Sequence, residues 1–382
     1  MKKLPFQKFI MLLLCLSLLL SLSSCALPWS RPEPGNLGLL MEALPLQQEE
    51  PWEADSLLFE SDAPAEEKSE ESLSAFFASF PPRGEEESSF YEQPGPQIRK
   101  SLIPSGVLLN HALEQPGSSP DEPDLESGQS FVYCLNSGEM RMLRGKGEKI
   151  YPASITKLLT ILTALRYLEP DEAITPGNEI FKVSENSSVA YLNKGYTLSV
   201  AQLIEAMMIP SGNDAAYTLS VAAARKASGD PDLPIDECLS YMTELMNDYA
   251  FELGMLSSHF TTVDGYRDPE HVSTVEDLAR LTLAAYECPE IRSCCGLSEL
   301  KETLLSGDTI TWQNSNLMLF SDSDFYDSRV KGMKTGSLNG HNSMVSVLEE
   351  SGEVYLVGVF TCNEKIGRYR DMQKIIAWIF GS

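Results

Sequence analysis

Tyr151-Pro-Ala-Ser154-Ile-Thr-Lys157-Leu-Leu-Thr-Ile-Leu-Thr-Ala-Leu165 is a run whose apolar residues, at 155, 158, 159, 162 and 165, recur with helical spacing. Ser154 and Lys157, three apart, fall on one face of that helix about one turn apart. Pro152 stands just ahead, where a missing N–H costs little. A serine at a helix start has backbone donors and the positive dipole end beside its hydroxyl. A lysine one turn on, once desolvated, can lose its proton and act as a base toward that hydroxyl. Ser-x-x-Lys alone arises by chance about once or twice in a chain this long. A solvated helix face carrying both residues is the plain alternative, so the pattern gains meaning only from partners elsewhere.

At 382 residues the chain has room for two or three domains and a sizeable core. Its net charge of −26 argues against a nucleic-acid partner, because phosphate binding needs a basic face. The acid is unevenly spread, with about −16 of it in residues 26–129. The eight cysteines include no Cys-x-x-Cys pair. His111, His259, His271 and His341 are scattered, so no zinc spacing appears. Cys294 and Cys295 are adjacent, which is poor geometry for a bridge to each other. Most of the cysteines are expected to be small buried hydrophobes.

Lys2-Lys3 followed by an apolar run over 9–22 reads as the basic and hydrophobic regions of an export signal. The run is shorter than a spanning helix needs. Leu22-Ser23-Ser24-Cys25 resembles a bacterial lipobox, with Cys25 as the lipidated new N-terminus; an ordinary cleaved signal or an uncleaved anchor is the alternative. Each reading places the remainder outside the cytoplasmic membrane, and lipidation would tether it to the outer face. Residues 26–129 turn to Pro, Glu, Ser and Gly and predict a disordered, self-repelling spacer. The folded domain is expected over 130–382.

Within it, 130–135 and 139–143 form a hairpin through Asn136-Ser137-Gly138, and 180–183 reads as a short strand. Ser199-Val-Ala-Gln202 is a capping box opening a helix over 200–208. Pro210 stops that helix; further helices are expected over 215–227, 236–253 and 274–286. Residues 343–348 and 354–361 make a second hairpin, and 370–380 a closing helix. Strands at both ends with helices between define an α+β fold: one antiparallel sheet whose edges come from the chain's two ends, with a helical insertion.

Two further elements join Ser154 and Lys157. Ser211-Gly212-Asn213 lies between two predicted helices, where a hydroxyl can relay a proton and an amide can hold a lysine or a substrate carbonyl. Lys334-Thr335-Gly336 precedes the last hairpin, where a strand can present a cation and a hydroxyl while glycine admits another backbone. A helix-linking turn and a surface strand end are the plain readings of each alone. In this order the three resemble the trio of penicillin-binding proteins and class A β-lactamases. Their flanks, with Glu252-Leu-Gly-Met255, His259-Phe-Thr261, Asp264-Gly265 and Trp312-Gln-Asn-Ser-Asn-Leu317, resemble the low-molecular-weight D-alanyl-D-alanine carboxypeptidases, serine peptidases of family S11. The resemblance runs from about Ser130 onward.

That resemblance implies a β-lactamase/penicillin-binding transpeptidase-like domain and an activity that removes the terminal D-alanine from peptidoglycan stem pentapeptides. Ser154 would be the acylated nucleophile and Lys157 its base; Ser211 and Asn213 would serve the proton relay and position substrate. Lys334 and Thr335 would bind the terminal carboxylate, with Lys334 also keeping Lys157 neutral by like-charge repulsion. Gly336 completes that strand motif, and the backbone N–H groups of Ser154 and Ser337 would form the oxyanion hole. β-Lactam antibiotics would acylate the same serine, and no metal or organic cofactor is called for.

The chain departs from the family's pattern after Gly336: His341 and Asn342 stand where small residues are usual, which leaves substrate fit and turnover open. The extra C-terminal β-domain and the amphipathic anchor of many relatives are not expected after Trp378, and an N-terminal lipid would replace the anchor. Two other readings compete. A class A β-lactamase would need a deacylating pair such as Glu244 and Asn247, which fall inside a helical pattern, and it has Asp where this chain has Gly212. A non-catalytic wall-binding or regulatory lipoprotein would keep the fold, with a cleft closed by His341 as its mark.

Overall fold

The computed structural model describes residues 106–381 apart from 115, 118 and 120. The expected export signal, Cys25 and the spacer up to residue 105 lie outside the described residues. The spacer, however, does not extend to 129. Helix α1 (Gly106–Glu114) buries Leu109, Ala112 and Leu113 against the main core. These three lie at i, i+3 and i+4, enough for one apolar stripe. The Glu126 and Ser127 N–H groups then donate to the Asp371 carboxylate at 2.9 and 2.7 Å, tying the approach to the sheet down.

Strands β1 (Gln129–Cys134) and β2 (Glu139–Arg144) form the expected first hairpin. The stretch over 151–165 opens with a 3₁₀ turn, Ala153–Ile155, running into α2 (Thr156–Ala164). The apolar positions are buried as the spacing predicts, but so is every other residue of α2, Thr156, Lys157, Thr160 and Thr163 included. Thr156, Lys157 and Thr160 meet other buried polar groups rather than water, while Thr163 Oγ1 has no hydrogen-bond partner in the protein. Two-residue strands β3 (Ala173–Ile174) and β4 (Leu198–Ser199) pair with each other. The strand expected at 180–183 is instead a 3₁₀ turn, Asn178–Lys182. The Glu179 carboxylate bends back to accept the Gly177 N–H at 2.6 Å, and Phe181 is left exposed. A local turn has thus displaced a run too short to hold a strand.

The capping box forms as expected: the Ser199 hydroxyl accepts from the Gln202 N–H, and Gln202 Oε1 accepts from the Ser199 N–H. It opens α3 (Val200–Met208), followed by α4 (Asn213–Ser228) and α5 (Ile235–Glu252). Thr274 caps α6 (Val275–Glu287), and α7 (Pro289–Cys294) follows directly. A small hairpin of β5 (Glu299–Thr303) and β6 (Thr309–Gln313) was not expected from the sequence. Strands β7 (Val330–Leu338), β8 (His341–Glu350) and β9 (Glu353–Cys362) and helix α8 (Gly367–Phe380) complete the described chain.

The main sheet has the order β2-β1-β9-β8-β7, antiparallel throughout. Its edges come from opposite ends of the domain, as the pattern predicted. Asn136 joins the two hairpin ends, donating to the Gly352 carbonyl and accepting from the Val354 N–H. Both faces are covered. Phe131, Val345, Leu356 and Phe360 pack on the helical body, while Val132, Met344, Val357 and Val359 pack on Tyr369, Met372, Ile375 and Ile376 of α8. Burial on both faces is why β8 and β9 read as nearly unbroken apolar runs. Among the described residues no helix is long and apolar enough to cross a membrane. Six cysteines are free and buried there, as their apolar settings predict.

Candidate active site

Ser154 is placed by two glycines. Ala153 sits at φ +49°, a left-handed conformation that costs a non-glycine residue of order 1–3 kcal/mol. The Ala153 carbonyl is pressed on Gly265, where an added Cβ would come within 1.8 Å of that oxygen. On the other side, a Cβ on Gly336 would meet the Pro152 oxygen at 3.0 Å and the Ser154 nitrogen at 3.4 Å. Gly336 therefore lets edge strand β7 lie against the serine turn, which brings the Ser154 nitrogen beside the Gly336–Ser337 backbone.

One turn on, Lys157 is fully buried and its Nζ donates to Ser154 Oγ at 2.9 Å and to the Asp264 carbonyl at 3.1 Å. Burial lowers its pKa to about 8, against the opposing pull of the Asp264 and Asp214 carboxylates. The second motif approaches from α4. Ser211 is also left-handed, at φ +64°, and the Asn213 N–H donates to the Ser188 carbonyl at 2.8 Å. Asn213 Nδ2 donates to Asp264 Oδ2 at 2.7 Å. Ser211 Oγ and Asn213 Oδ1 are buried with no hydrogen-bond partner in the protein. Asp264 thus touches two motifs, the lysine through its carbonyl and the asparagine through its carboxylate.

The third motif lies on β7. Lys334 is buried, with Nζ donating to the Thr335 carbonyl at 3.2 Å. Burial, then Lys157, then Arg368 hold its pKa well below the usual lysine value. The two buried amines thus repel each other, and at Lys157 burial is the leading cause of the lowered pKa. Thr335 Oγ1 shares a hydrogen bond of 2.8 Å with Ser315 Oγ, from the Trp312–Leu317 segment. Trp312 itself donates to the Ala190 carbonyl at 3.0 Å.

Sequence reasoning missed Arg368, buried at the start of α8. Its Nη1 donates to the Gly336 carbonyl and to Ser337 Oγ, each at 2.9 Å. No local motif marks it, and only the packing of α8 on β8 and β9 brings it in. Also unanticipated was a support beneath α2: buried His271 meets Thr156 Oγ1 through Nε2 at 2.8 Å and accepts the Thr261 N–H at Nδ1 at 3.1 Å. Burial lowers its pKa to about 4. The neutral ring with its proton on Nε2 satisfies both bonds.

The two departures after Gly336 play different parts. Asn342 is buried away from the serine turn, donating to the Cys362 and Asn363 carbonyls. His341 packs on the Tyr151 ring, centroids 5.5 Å apart, and lines a cavity of about 240 Å³ with Leu338 and Asn339. It forms a wall beside the motifs. Glu244 is exposed on α5, and Asn247 is spent on the Phe260 backbone, accepting its N–H and donating to its carbonyl. Neither serves as the deacylating pair of a class A β-lactamase.

A serine hydroxyl bonded by a buried amine, a hydroxyl–amide pair and a cationic edge strand on this sheet define the penicillin-binding class of serine peptidases. The chain belongs to the D-alanyl-D-alanine carboxypeptidase family, peptidase S11, whose model matches residues 117–359. It is 26% identical over 294 residues to D-alanyl-D-alanine carboxypeptidase DacD of Escherichia coli, covering 74% of this chain and 70% of that one. The crystal structure of the Streptomyces K15 DD-transpeptidase shares the fold, with a TM-score of 0.61 at 24% identity over 68% of this chain and 99% of that one. Penicillin-binding protein 6B of Escherichia coli superposes with a TM-score of 0.58 at 26% identity, over 68% of this chain and 79% of that one.

Proposed function

We propose that the protein removes the terminal D-alanine from peptidoglycan stem pentapeptides through an acyl-enzyme on Ser154. The observation that carries this reading is the 2.9 Å contact between Ser154 Oγ and the buried amine of Lys157. With its pKa lowered to about 8, Lys157 is neutral in a useful fraction near neutral pH and can take the hydroxyl proton.

Ser154 Oγ bonds to the carbonyl carbon of the penultimate D-alanine. The oxyanion is held by the Ser154 and Ser337 N–H groups. As the C–N bond to the terminal D-alanine breaks, the proton taken by Lys157 passes to the departing amine by way of Ser211. Asn213, oriented by Asp264, holds the remaining acyl chain. Water then attacks the ester, gives its proton to Lys157, and Ser154 recovers its hydroxyl. The leaving residue's carboxylate rests on Lys334, Thr335 and the charge of Arg368; that anion favours the ammonium form of Lys334 which burial opposes. β-Lactams, presenting a carboxylate and a reactive amide at similar spacing, acylate the same serine.

Lipidation at Cys25 would place the domain on the outer face of the cytoplasmic membrane, with the acidic segment as its tether. Loss of the lipid mass in Cys25→Ser, with release from the membrane, checks this; retention at unchanged mass refutes it.

The test of the activity is intact mass after brief exposure to benzylpenicillin, together with D-alanine release from a stem pentapeptide. A lasting adduct on the Ser154 peptide and release that is lost in Ser154→Ala support the reading. Drug consumed without an adduct indicates a β-lactamase. No adduct and no release indicate a non-catalytic wall-binding protein.

A further inference from the structure

Asp371 lies three residues after Arg368 on α8, and both are buried. An acidic and a basic residue at this spacing are neighbours on a helix surface and stabilise it when they pair. Here they do not pair. Arg368 Nη1 donates to the Gly336 carbonyl and Ser337 Oγ, each at 2.9 Å, and to the Ser343 carbonyl at 3.4 Å. Its buried Nε has no hydrogen-bond partner in the protein. The Asp371 carboxylate is occupied elsewhere: Oδ1 accepts the Glu126 N–H at 2.9 Å and Oδ2 the Ser127 N–H at 2.7 Å.

Those two N–H groups belong to a strap, residues 122–127, that runs over the start of α8 just before β1. Arg144 of β2 holds one end, donating to the Glu122 carboxylate at 3.0 Å and the Pro123 carbonyl at 2.8 Å. Leu125 packs on the core beneath α8. A Cβ on Gly367, the residue before Arg368, would come within 2.8 Å of the Glu126 carboxylate, so the strap rests against helix backbone there. Around Asp371 the other groups are weaker partners. Cys362 Sγ is 3.9 Å from Oδ2, and Lys374 Nζ is 3.8 Å from Oδ1. That lysine is half exposed and donates to the Asp124 carbonyl of the strap at 2.7 Å.

The consequence is electrostatic. A fully buried carboxylate deprived of its donors is costly, and the structure relaxes toward whatever donor can reach it. While the strap is docked, backbone N–H groups meet that need and the Arg368 charge stays beside Gly336 and Ser337. Without the strap, the guanidinium one turn away is the buried cation at hand, and its pairing with a carboxylate is bidentate. Such a pair would draw Arg368 away from β7.

Resting on the carboxypeptidase reading above, we infer that Asp371 and the strap over 122–127 are positioning elements for Arg368. By occupying Asp371, the strap keeps Arg368 directed at the substrate's terminal carboxylate, and its release turns Arg368 back onto its own helix. Recognition of a free C-terminal carboxylate is thereby tied to the docking of the stretch that leads into β1.

The experiment uses the full-length protein, a stem pentapeptide and the same pentapeptide ending in a carboxamide, with kcat/KM for loss of the terminal residue from each. Damage to the serine turn lowers both values together, whereas displacement of Arg368 lowers only the carboxylate form, so their ratio is the readout. The wild type should favour the free carboxylate by about tenfold or more, the range of a charged hydrogen bond. Arg368→Gln sets the floor of that ratio. Ser127→Pro, which removes the N–H held by Asp371 Oδ2, should cut the ratio by roughly three- to tenfold, chiefly through KM. Ser127→Ala keeps that N–H and should leave the ratio alone. Combining Ser127→Pro with Asp371→Asn should bring it back, because a neutral amide has no charge to draw Arg368. Melting curves report the fold. Should Ser127→Pro not fold, Leu125→Gly with Arg144→Ala, which unfastens the strap from its side-chain anchors, takes its place. A wild type indifferent to the carboxylate overturns the inference at once. So does a folded strap variant with the wild-type ratio, Lys374 then serving Asp371, or a lowered ratio that Asp371→Asn fails to restore. Loss of folding in both strap variants also refutes it, since the strap would then be part of the core. Absence of benzylpenicillin acylation and of D-alanine release from the wild type overturns the underlying function instead, and the inference with it.

Discussion

Gly265 lies so close to Ala153 that a Cβ at position 265 would come within 1.8 Å of the Ala153 carbonyl oxygen. Gly265 is itself left-handed, at φ +82°. The loop carrying Asp264 and the turn carrying Ser154 are thereby held backbone to backbone, with Lys157 bonded to both. Gly265→Ala should combine a backbone penalty with a clash that neither backbone can relieve. A loss of about 3 kcal/mol or more in stability is expected, with benzylpenicillin acylation falling further than the melting point explains. Unchanged acylation and melting would show that this contact does not position the serine.

In the proposed mechanism Lys157 acts only as the free amine, so its titration would set the acid limb of the reaction. Acylation should rise about tenfold per pH unit at low pH and level off above about 8. Lys157→Ala should reduce it by about 10²–10⁴-fold with the fold retained. Asp264 raises the lysine's pKa, so Asp264→Asn should move the limb to lower pH while lowering the plateau through a weaker hold on Asn213. A limb that stays in place after Asp264→Asn would break the assignment.

His271 is neutral in the fold to about pH 4 but titrates near 6.5 once unfolded. Between those values the unfolded chain binds the extra proton, so stability is full above 6.5 and falls with pH toward 4. The loss is roughly 3 kcal/mol at the acid end. His271→Asn should lower stability overall and flatten this slope in urea unfolding across that window. A slope as steep as the wild type's would assign the acid sensitivity elsewhere.

Glu205 on α3 works in the opposite sense. Burial, then Glu302, raise its carboxyl to about 7, and Oε2 has no hydrogen-bond partner in the protein. The unfolded chain releases this proton first as pH rises from about 4.5, so stability falls from there to about 7. Glu205→Gln should stabilise at pH 8 and change little at pH 4. Because the two windows overlap, the wild type shows only the difference, and unfolding of the two variants separates them. Equal effects of Glu205→Gln at both pH values would contradict the burial.

What the sequence made legible was local or periodic. Ser154 and Lys157 are one turn apart, the Ser199–Gln202 box is a three-residue spacing, and the buried strands β8 and β9 are nearly unbroken apolar runs. Contacts made across the fold were not legible. Asp264 reads as half of a dipeptide, and only the fold shows it reaching Lys157 and Asn213. Arg368 carries no motif and comes under Ser337 through the packing of α8. Helix α1 was hidden because three apolar residues, Leu109, Ala112 and Leu113, sit in a Pro- and Glu-rich setting whose average composition outweighs one short stripe. At 180–183 a side-chain-to-backbone bond from Glu179 prevailed over a weak strand preference.

Strand β1 finds its inner neighbour in β9, with Val132 opposite Val357. For a polypeptide delivered in order from its N-terminus, the first hairpin must therefore wait through roughly two hundred residues of further chain before it can dock, a separation that slows folding. Until then β1 has an open flank, and no intermediate length of chain holds the complete sheet. A fragment ending at Gly352 would lack the central strand that joins the two hairpins. Closure of this domain is thus an event of the last stage of its synthesis or delivery, so a premature stop there yields an unclosed sheet rather than a smaller stable one.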